Sequence, residues 1–139
     1  MAKPHSVLFA CNWNAVRSPM AAALLRRIDG ALHVESCGLL AGEEVDPFAR
    51  AVMEEIGLEL DDHQPKSFHA LTPGAFDLVV TLTPEADARA AALAHDGVAV
   101  EHWPIEDPAL QEGSREQRLL AYRQVRDALE QRLKARFGS

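Results

Sequence analysis

The sequence has few cysteines and fewer basic than acidic residues, and both shortages exclude classes of site. Its two cysteines, Cys11 and Cys37, form no C-x-x-C pair and no cluster with histidine, so a structural zinc site is not expected. Fourteen Lys and Arg against 21 Asp and Glu give a formal net charge of -7. This charge argues against a protein that binds nucleic acid or anionic membranes, because both are polyanions. A small phosphate ligand stays compatible, since it feels mainly the charges of its own site.

Long apolar runs, repeats and linkers are also absent. The apolar run at residues 7–10 is too short for a signal peptide or a membrane span, which predicts a cytoplasmic protein without a membrane partner. The hydrophobic fraction of 47% and the charged fraction of 25% are those of an ordinary globular protein. The length fits one domain over residues 1–139.

Short apolar runs alternate along the chain with longer segments of helical periodicity. Strands are predicted over residues 6–10, 32–36, 76–82 and 98–103. Helices are predicted from the N-cap Ser18 and the first helical residue Pro19 to Gly30, from Asp46 and Pro47 to Gly57, from Pro84 through Leu93, and from a capping box of Ser114 and Gln117 to Phe137. The alternation predicts an α/β fold, a single three-layer domain with a four-stranded parallel sheet and helices on both faces. Ligands of such sheets bind at the carboxyl ends of the strands, which here means the loops 11–18 and 104–113.

The loop after the first strand has the chemistry of an oxyanion site. Cys11 precedes a helix N-terminus, where free N–H groups and the helix dipole favour a thiolate and a bound anion. Arg17 can hold two phosphate oxygens, and the Ser18 hydroxyl can donate to the sulfur. The backbone N–H groups of Asn12, Trp13, Asn14, Ala15, Val16, Arg17 and Ser18 are expected to bind the phosphate without a metal or cofactor. The alternative is that Cys11 is a buried apolar residue and Arg17 a surface residue.

The residues 7–21, VLFACNWNAVRSPMA, resemble the opening of the low-molecular-weight protein tyrosine phosphatases and of the related thioredoxin-coupled arsenate reductases. The likeness continues through residues 36–38, Asp46-Pro47 and Asp107-Pro108, and so covers nearly the whole chain. It implies that Cys11 is the nucleophile, Arg17 the phosphate clamp and Ser18 the thiolate stabiliser. It also implies that Asn14 shapes the loop through a hydrogen bond to Ser36.

The loop after the fourth strand offers a proton donor for the leaving group. Asp107 is followed by Pro108, which restricts its backbone, although an isolated Asp-Pro is more often a simple turn. The resemblance implies that Asp107 is the general acid and later the base that activates water. Glu106 is the second candidate for this role.

Three positions depart from the tyrosine phosphatase pattern. Trp13 stands where a glycine is usual, and it could form a wall for the leaving group or cover the loop of a nearby subunit. Ala109 and Leu110 replace an aromatic pair, which leaves phosphotyrosine specificity open. Val16 replaces the second loop cysteine of many eukaryotic relatives, so no disulfide can form inside the loop.

The segment 101–109 is closer to the arsenate reductases. Their internal relay needs two further cysteines after the third strand, and this chain has none beyond Cys37. Cys37 is expected to pack in the sheet, with a disulfide to Cys11 under oxidation as the lesser alternative. The predicted function is therefore a phosphatase that forms a cysteinyl-phosphate, acting on a phosphorylated protein or a small phosphoester. An arsenate reductase with an external thiol, a non-catalytic oxyanion- or partner-binding module and a sugar-transport type phosphocarrier are the alternatives.

The histidines and the residues of the last helix are interpreted as structural rather than catalytic. The six histidines show no ligand spacing, and only His63 falls in a loop similar to one beside the family's active-site loop. Tyr122 and the apolar positions of the last helix are predicted to be core. Its arginines are predicted to form a solvated face: Arg115, Arg118, Arg123, Arg126 and Arg132.

Overall fold

The computed structural model describes residues 4–70, 75–92 and 98–138. Four parallel strands form one sheet in the order β2-β1-β3-β4: β1 Ser6–Cys11, β2 His33–Gly38, β3 Leu78–Thr81 and β4 Ala99–His102. The α-helices are α1 Arg17–Ile28, α2 Pro47–Glu54, α3 Pro84–Ala91 and α4 Arg115–Phe137, and short 3-10 turns cover Phe68–Ala70 and Pro108–Leu110. The predicted three-layer α/β fold is confirmed.

The central strand β1 places Cys11 at the carboxyl edge of the sheet. All six of its side chains are buried, as expected for a strand covered on both faces. Successive side chains point to opposite faces. Val7, Phe9 and Cys11 pack in the core with α1, α2 and α4, whereas Leu8 and Ala10 pack on the other face with α3.

The start of α1 differs from the prediction. Ser18 is not the N-cap: α1 begins at Arg17, and Val16 occupies the cap position without a side-chain hydrogen bond. The Ser18 hydroxyl is engaged by the Cys11 sulfur instead. Pro19 is the third helical residue rather than the first, which the helix tolerates because N–H groups of the first turn have no intrahelical acceptor.

Other element ends shift by a few residues. β2 begins one residue later than predicted and reaches Gly38, while β3 and β4 are shorter than predicted. α2 ends at Glu54, and the chain turns at Gly57, whose φ is 81°. The predicted end of the third helix at Leu93 lies outside the described residues.

The last helix confirms its predicted cap and core but not its solvated face. Ser114 and Gln117 make the reciprocal capping box, and Tyr122 is fully buried. Of the five arginines predicted to be solvated, three are only partly exposed, because α2 packs across this face: Arg118, Arg123 and Arg126. Arg123 and Arg126 pair with Glu55 at 2.8 Å. Arg115 and Arg118 lie over the Phe48 ring and Arg132 over the Trp103 ring.

No helix in the ranges 4–70, 75–92 and 98–138 combines the length and apolar character needed to cross a membrane. The same ranges contain no group of three or more His, Cys, Asp and Glu side chains arranged to hold a metal ion.

Candidate active site

The loop between β1 and α1 turns its carbonyl groups toward the segment 39–46. Four loop carbonyls accept hydrogen bonds of 2.9 to 3.0 Å from N–H groups of that segment: those of Cys11, Asn12, Trp13 and Ala15. In a trans peptide the C=O and the following N–H point in opposite directions. The N–H groups that follow these carbonyls therefore point away from the segment, and no described residue accepts a hydrogen bond from them. Such a set of free donors at a helix N-terminus can bind an oxyanion.

Gly38 makes the close approach of this loop to β2 possible. A Cβ atom at Gly38 would lie 2.7 Å from the Asn14 N atom and 2.9 Å from the Asn12 carbonyl oxygen. Any side chain there would push the loop away from the sheet, because real Cβ contacts are longer than this.

The Cys11 sulfur lies 2.9 Å from the Ser18 hydroxyl oxygen. This oxygen also accepts a hydrogen bond from Asn14 Nδ2 at 2.8 Å and lies 3.2 Å from the Cys37 carbonyl oxygen. A hydroxyl has one proton, which can go to the carbonyl or to the sulfur. A thiolate is the stronger acceptor of the two, so the arrangement can stabilise a negatively charged Cys11.

Asn14 holds the loop through both its backbone and its side chain. Its φ of 55° is left-handed, a conformation that Asn adopts more readily than most residues. Its amide donates to Ser18 and, at 2.9 Å, to Ser36. Its side-chain oxygen accepts from the Lys66 N–H at 2.9 Å and lies 3.0 Å from His63 Nε2. The contact with Ser36 implied by the resemblance is thus present.

His63 lies beside the loop, where the sequence resemblance located it. Because the Asn14 side-chain oxygen can only accept, His63 Nε2 must carry the proton in this contact. Burial lowers the pKa of His63 and outweighs the opposing hydrogen bond to Asn14. The lowered pKa favours the neutral ring, and His63 supports the loop through its contact with Asn14.

Arg17 and Asp107 bring the two loops together. Arg17 is 8% exposed, and its NH1 donates to the Ile105 carbonyl at 2.9 Å, which fixes the guanidinium. Its NH2 lies 3.8 Å from Asp107 Oδ2. The other Asp107 oxygen accepts a hydrogen bond from the Ala109 N–H at 2.9 Å. Asp107 therefore has one oxygen held by the 3-10 turn and one directed to the arginine.

A cleft of about 560 Å³ opens over the Cys11 sulfur. Its lining includes Cys11, Trp13, Arg17, Glu43, Glu44 and Asp107. Glu106, the second candidate for the acid, lines a neighbouring groove and not this cleft. Asp107 lines both, so of the two candidates for the acid it is the one that shares a cleft with the sulfur.

The second cysteine lies on the other face of the sheet. Cys37 is fully buried with Leu8 and Ala10, whereas Cys11 belongs to the opposite core. Burial, followed by the neighbouring Cys11, raises the pKa of the Cys37 thiol to about 12. The expectation that Cys37 packs in the sheet is confirmed, and its orientation opposes the alternative of a disulfide with Cys11.

Three side-chain contacts near the site were not predicted. The Asn12 side chain accepts from the Thr83 hydroxyl at 2.7 Å and donates to Glu85 at 3.1 Å, which ties the loop to the start of α3. The Tyr122 hydroxyl donates to Asp46 Oδ2 at 2.8 Å, so it joins α4 to the N-cap of α2. An Asp-Pro helix start was visible in the sequence, but its pairing with a tyrosine 76 residues away was not.

Comparisons with known proteins agree with this geometry. The model of the family "Low molecular weight phosphotyrosine protein phosphatase" matches residues 6–138. The chain belongs to this family. An arsenate reductase of Shouchella clausii is 33% identical over 129 residues, which is 92% of this chain and 91% of that protein.

Solved structures of the low-molecular-weight phosphatase family superpose closely on this chain. An arsenate reductase from Archaeoglobus fulgidus has a TM-score of 0.75 at 29% identity, covering 96% of this chain and 99% of that one. The tyrosine phosphatase Wzb from Escherichia coli K30, solved with sulphate, has a TM-score of 0.81 at 24% identity and 96% coverage of both chains, a likeness of fold. The resemblance inferred from the sequence is confirmed. Since both activities occur among the similar proteins, the choice between them depends on the side chains of this site.

Proposed function

We propose that this chain is a metal-independent phosphomonoester phosphatase, of protein tyrosine phosphatase type, that works through a cysteinyl-phosphate. The observation that supports it is the sharing of one cleft by the Cys11 sulfur, the Arg17 guanidinium and the Asp107 carboxyl group. A module that only bound oxyanions, or a phosphocarrier, would need no proton donor beside the nucleophile. We also propose, on the sequence grounds given above, that it acts in the cytoplasm.

In the first proposed step, the Cys11 thiolate attacks phosphorus and the bond to the leaving oxygen breaks. Asp107, protonated at the start, gives its proton to that oxygen. Charge on the three equatorial oxygens is stabilised by Arg17 and by the free N–H groups of residues 12–18. In the second step Asp107 takes a proton from water, which attacks phosphorus and releases phosphate from the sulfur.

Arsenate reduction is the second candidate, because similar proteins carry that name. Reduction would require a thiol to attack the sulfur of a cysteinyl-arsenate, releasing arsenite and leaving a disulfide. Cys37 is poorly suited to this step, since it faces the opposite side of the sheet and burial raises the pKa of its thiol to about 12. The thiol would have to come from another molecule.

The test is hydrolysis of p-nitrophenyl phosphate and of phenyl phosphate without added metal. We expect turnover by the native chain and none by Cys11→Ser. Asp107→Asn keeps the size of the side chain but cannot donate the proton, and we expect it to lose about 10²- to 10⁴-fold in rate. The loss should be larger for phenyl phosphate, whose leaving group is more basic.

The same experiment separates the alternatives. A native chain that binds phosphate but hydrolyses neither ester would contradict the phosphatase proposal. Release of arsenite from arsenate with an added small thiol would then identify a reductase, and its absence would identify a binding module. Cys37→Ala is the matched control, and we expect it to retain activity.

A further inference from the structure

Trp13 presents an aromatic surface at the mouth of the cleft. Its side chain is 52% exposed, although the other side chains of the loop are buried or half-buried. It lines the cleft over Cys11. Of the two residues that follow Asp107-Pro108, Ala109 lines the cleft but has no ring, and Leu110 lines the neighbouring groove. Among the described residues that line the cleft, Trp13 is the one aromatic side chain that a leaving group could contact.

Glu43 and Glu44 line the cleft together with Trp13, and these three residues are called the rim below. The Gly42 N–H donates to the Trp13 carbonyl at 2.9 Å, and the Asp46 N–H donates to the Ala15 carbonyl at 3.0 Å. Both hydrogen bonds anchor the segment to the oxyanion loop. Glu43 and Glu44 lie between these anchors, so their position relative to Trp13 is set by the loop itself.

Glu43 and Glu44 differ from the other carboxylates of the cleft in having no partner. Both are exposed, and no described residue forms a hydrogen bond or ion pair with either of them. Asp46 accepts from two N–H groups and from the Tyr122 hydroxyl, and Asp107 faces Arg17. The two glutamates therefore retain negative charge that can interact with a ligand.

An exposed indole beside unpaired carboxylates has the chemistry that binds a guanidinium or ammonium group. A phosphate dianion alone would be repelled by this rim, whereas a substrate that carries a positive charge next to its phosphate would be attracted. We propose that Trp13, Glu43 and Glu44 select phosphate monoesters with a flat leaving group flanked by positive charge, such as phosphotyrosine next to arginine in a peptide. This inference rests on the proposed phosphatase function and adds the substrate class to it.

The test compares three phosphotyrosine peptides of equal length that carry arginine, glutamine or glutamate beside the phosphotyrosine. We expect kcat/KM of the native chain to be about tenfold higher for the arginine than for the glutamate peptide, because a surface cation–π contact and two exposed ion pairs each contribute modestly. The ratio should fall as salt is added, since exposed charges are screened.

Variants assign the preference to the rim. E43Q/E44Q should lower the ratio to about twofold, whereas E54Q/E59Q, which removes the same charge outside the cleft, should keep it. Trp13→Ala should raise KM for all three peptides, and Trp13→Phe should keep KM close to that of the native chain. Because each ratio compares two peptides on the same variant, a general change in the chemistry cancels.

Affinities of Cys11→Ser for the three peptides measure the preference without turnover. Equal affinities, or a preference that E43Q/E44Q in this background leaves intact, would overturn the inference even if the native chain hydrolyses p-nitrophenyl phosphate. A native chain inert toward that ester would instead overturn the phosphatase proposal. The affinities would then still decide whether the rim selects positive charge.

Discussion

At the scale of single residues, Asn14 combines a left-handed backbone with an amide that is fully hydrogen-bonded. Asn14→Ala removes the contacts to Ser18, Ser36 and Lys66 and keeps a Cβ at φ 55°. We expect it to lower the free energy of unfolding by about 3 kcal/mol. Asn14→Gly loses the same contacts but tolerates the backbone, and should be about 1 kcal/mol more stable than the alanine variant. Urea unfolding of both variants measures the difference; equal stabilities would show that the backbone conformation costs nothing.

The two thiols should differ in reactivity because of where they lie. Both cysteines are buried, but Cys11, which is 2% exposed, lines the cleft, whereas Cys37 is 0% exposed and faces the opposite core. With a pKa of about 12, Cys37 would be a thiolate in only about one molecule in 10⁵ at neutral pH. We expect iodoacetamide to modify Cys11 alone in the folded chain, with phosphate slowing the reaction, and both cysteines in urea. Peptide mass spectrometry gives the sites; modification of folded Cys37 at a similar rate would contradict the structure.

At the scale of elements, local sequence signals predicted the helices and strands. Side-chain roles that depend on contacts between distant segments could not be predicted from them. The apolar run of β1 and the capping box at Ser114 are signals within the elements themselves, and β1 and α4 form where expected. Ser18 looked like an N-cap because serine often is one, but the nearby sulfur engages its hydroxyl. Arg123 and Arg126 looked solvated because nothing local shows that Glu55 faces them across α2 and α4.

The residues of the site also divide into those that local sequence predicted and those that depend on long-range contacts. Cys11, Arg17 and Ser18 lie within eight residues, so their spacing predicted an oxyanion loop. Asp107 was located by its place after the fourth strand and by resemblance. The rim formed by Glu43 and Glu44 was not predicted, because it depends on hydrogen bonds that join the segment 42–46 to the loop.

The contact between α2 and α4 should depend on pH through Glu55. Hydrogen bonds from Arg123 and then Arg126 lower the pKa of Glu55 from 4.5 to about 2. A carboxyl group whose pKa is lower in the folded than in the unfolded state stabilises the fold at pH values above its unfolded-state pKa. This contribution is lost as the pH falls from about 4.5 toward about 2. Because Glu55 is largely exposed, we expect Glu55→Gln to cost only about 1 kcal/mol at neutral pH. In urea unfolding, the difference in free energy of unfolding between the native chain and Glu55→Gln should vanish over that acidic range. Glu54→Gln, which changes the neighbouring residue, is the control and should show little effect. A difference that persists in acid would exclude the ion pairs as its cause.

At the scale of the whole molecule, the proposed function requires an acidic protein to bind an anion against its own net charge of -7. The fold meets this by collecting local positive potential at one edge of the sheet, from the free N–H groups of the loop, the start of α1 and the buried Arg17. Binding at such a site should stabilise the entire chain, because the loop exists only when β1, β2 and α1 are packed. Anion binding is therefore expected to be visible in global unfolding and not only in activity.

We expect inorganic phosphate at about a hundred times its Kd to raise the free energy of unfolding by about 2.7 kcal/mol, with a matching rise in Tm. Sodium chloride at equal ionic strength is the necessary control, because screening alone stabilises a chain with excess negative charge. Arg17→Lys keeps the charge but not the planar pair of donors, and should lose most of the phosphate-specific shift while keeping the response to chloride. Calorimetric scans in both salts separate the two effects. If phosphate and chloride raised the Tm of the native chain equally, the loop would not be an oxyanion site, and the phosphatase proposal and the substrate preference built on it would both fail.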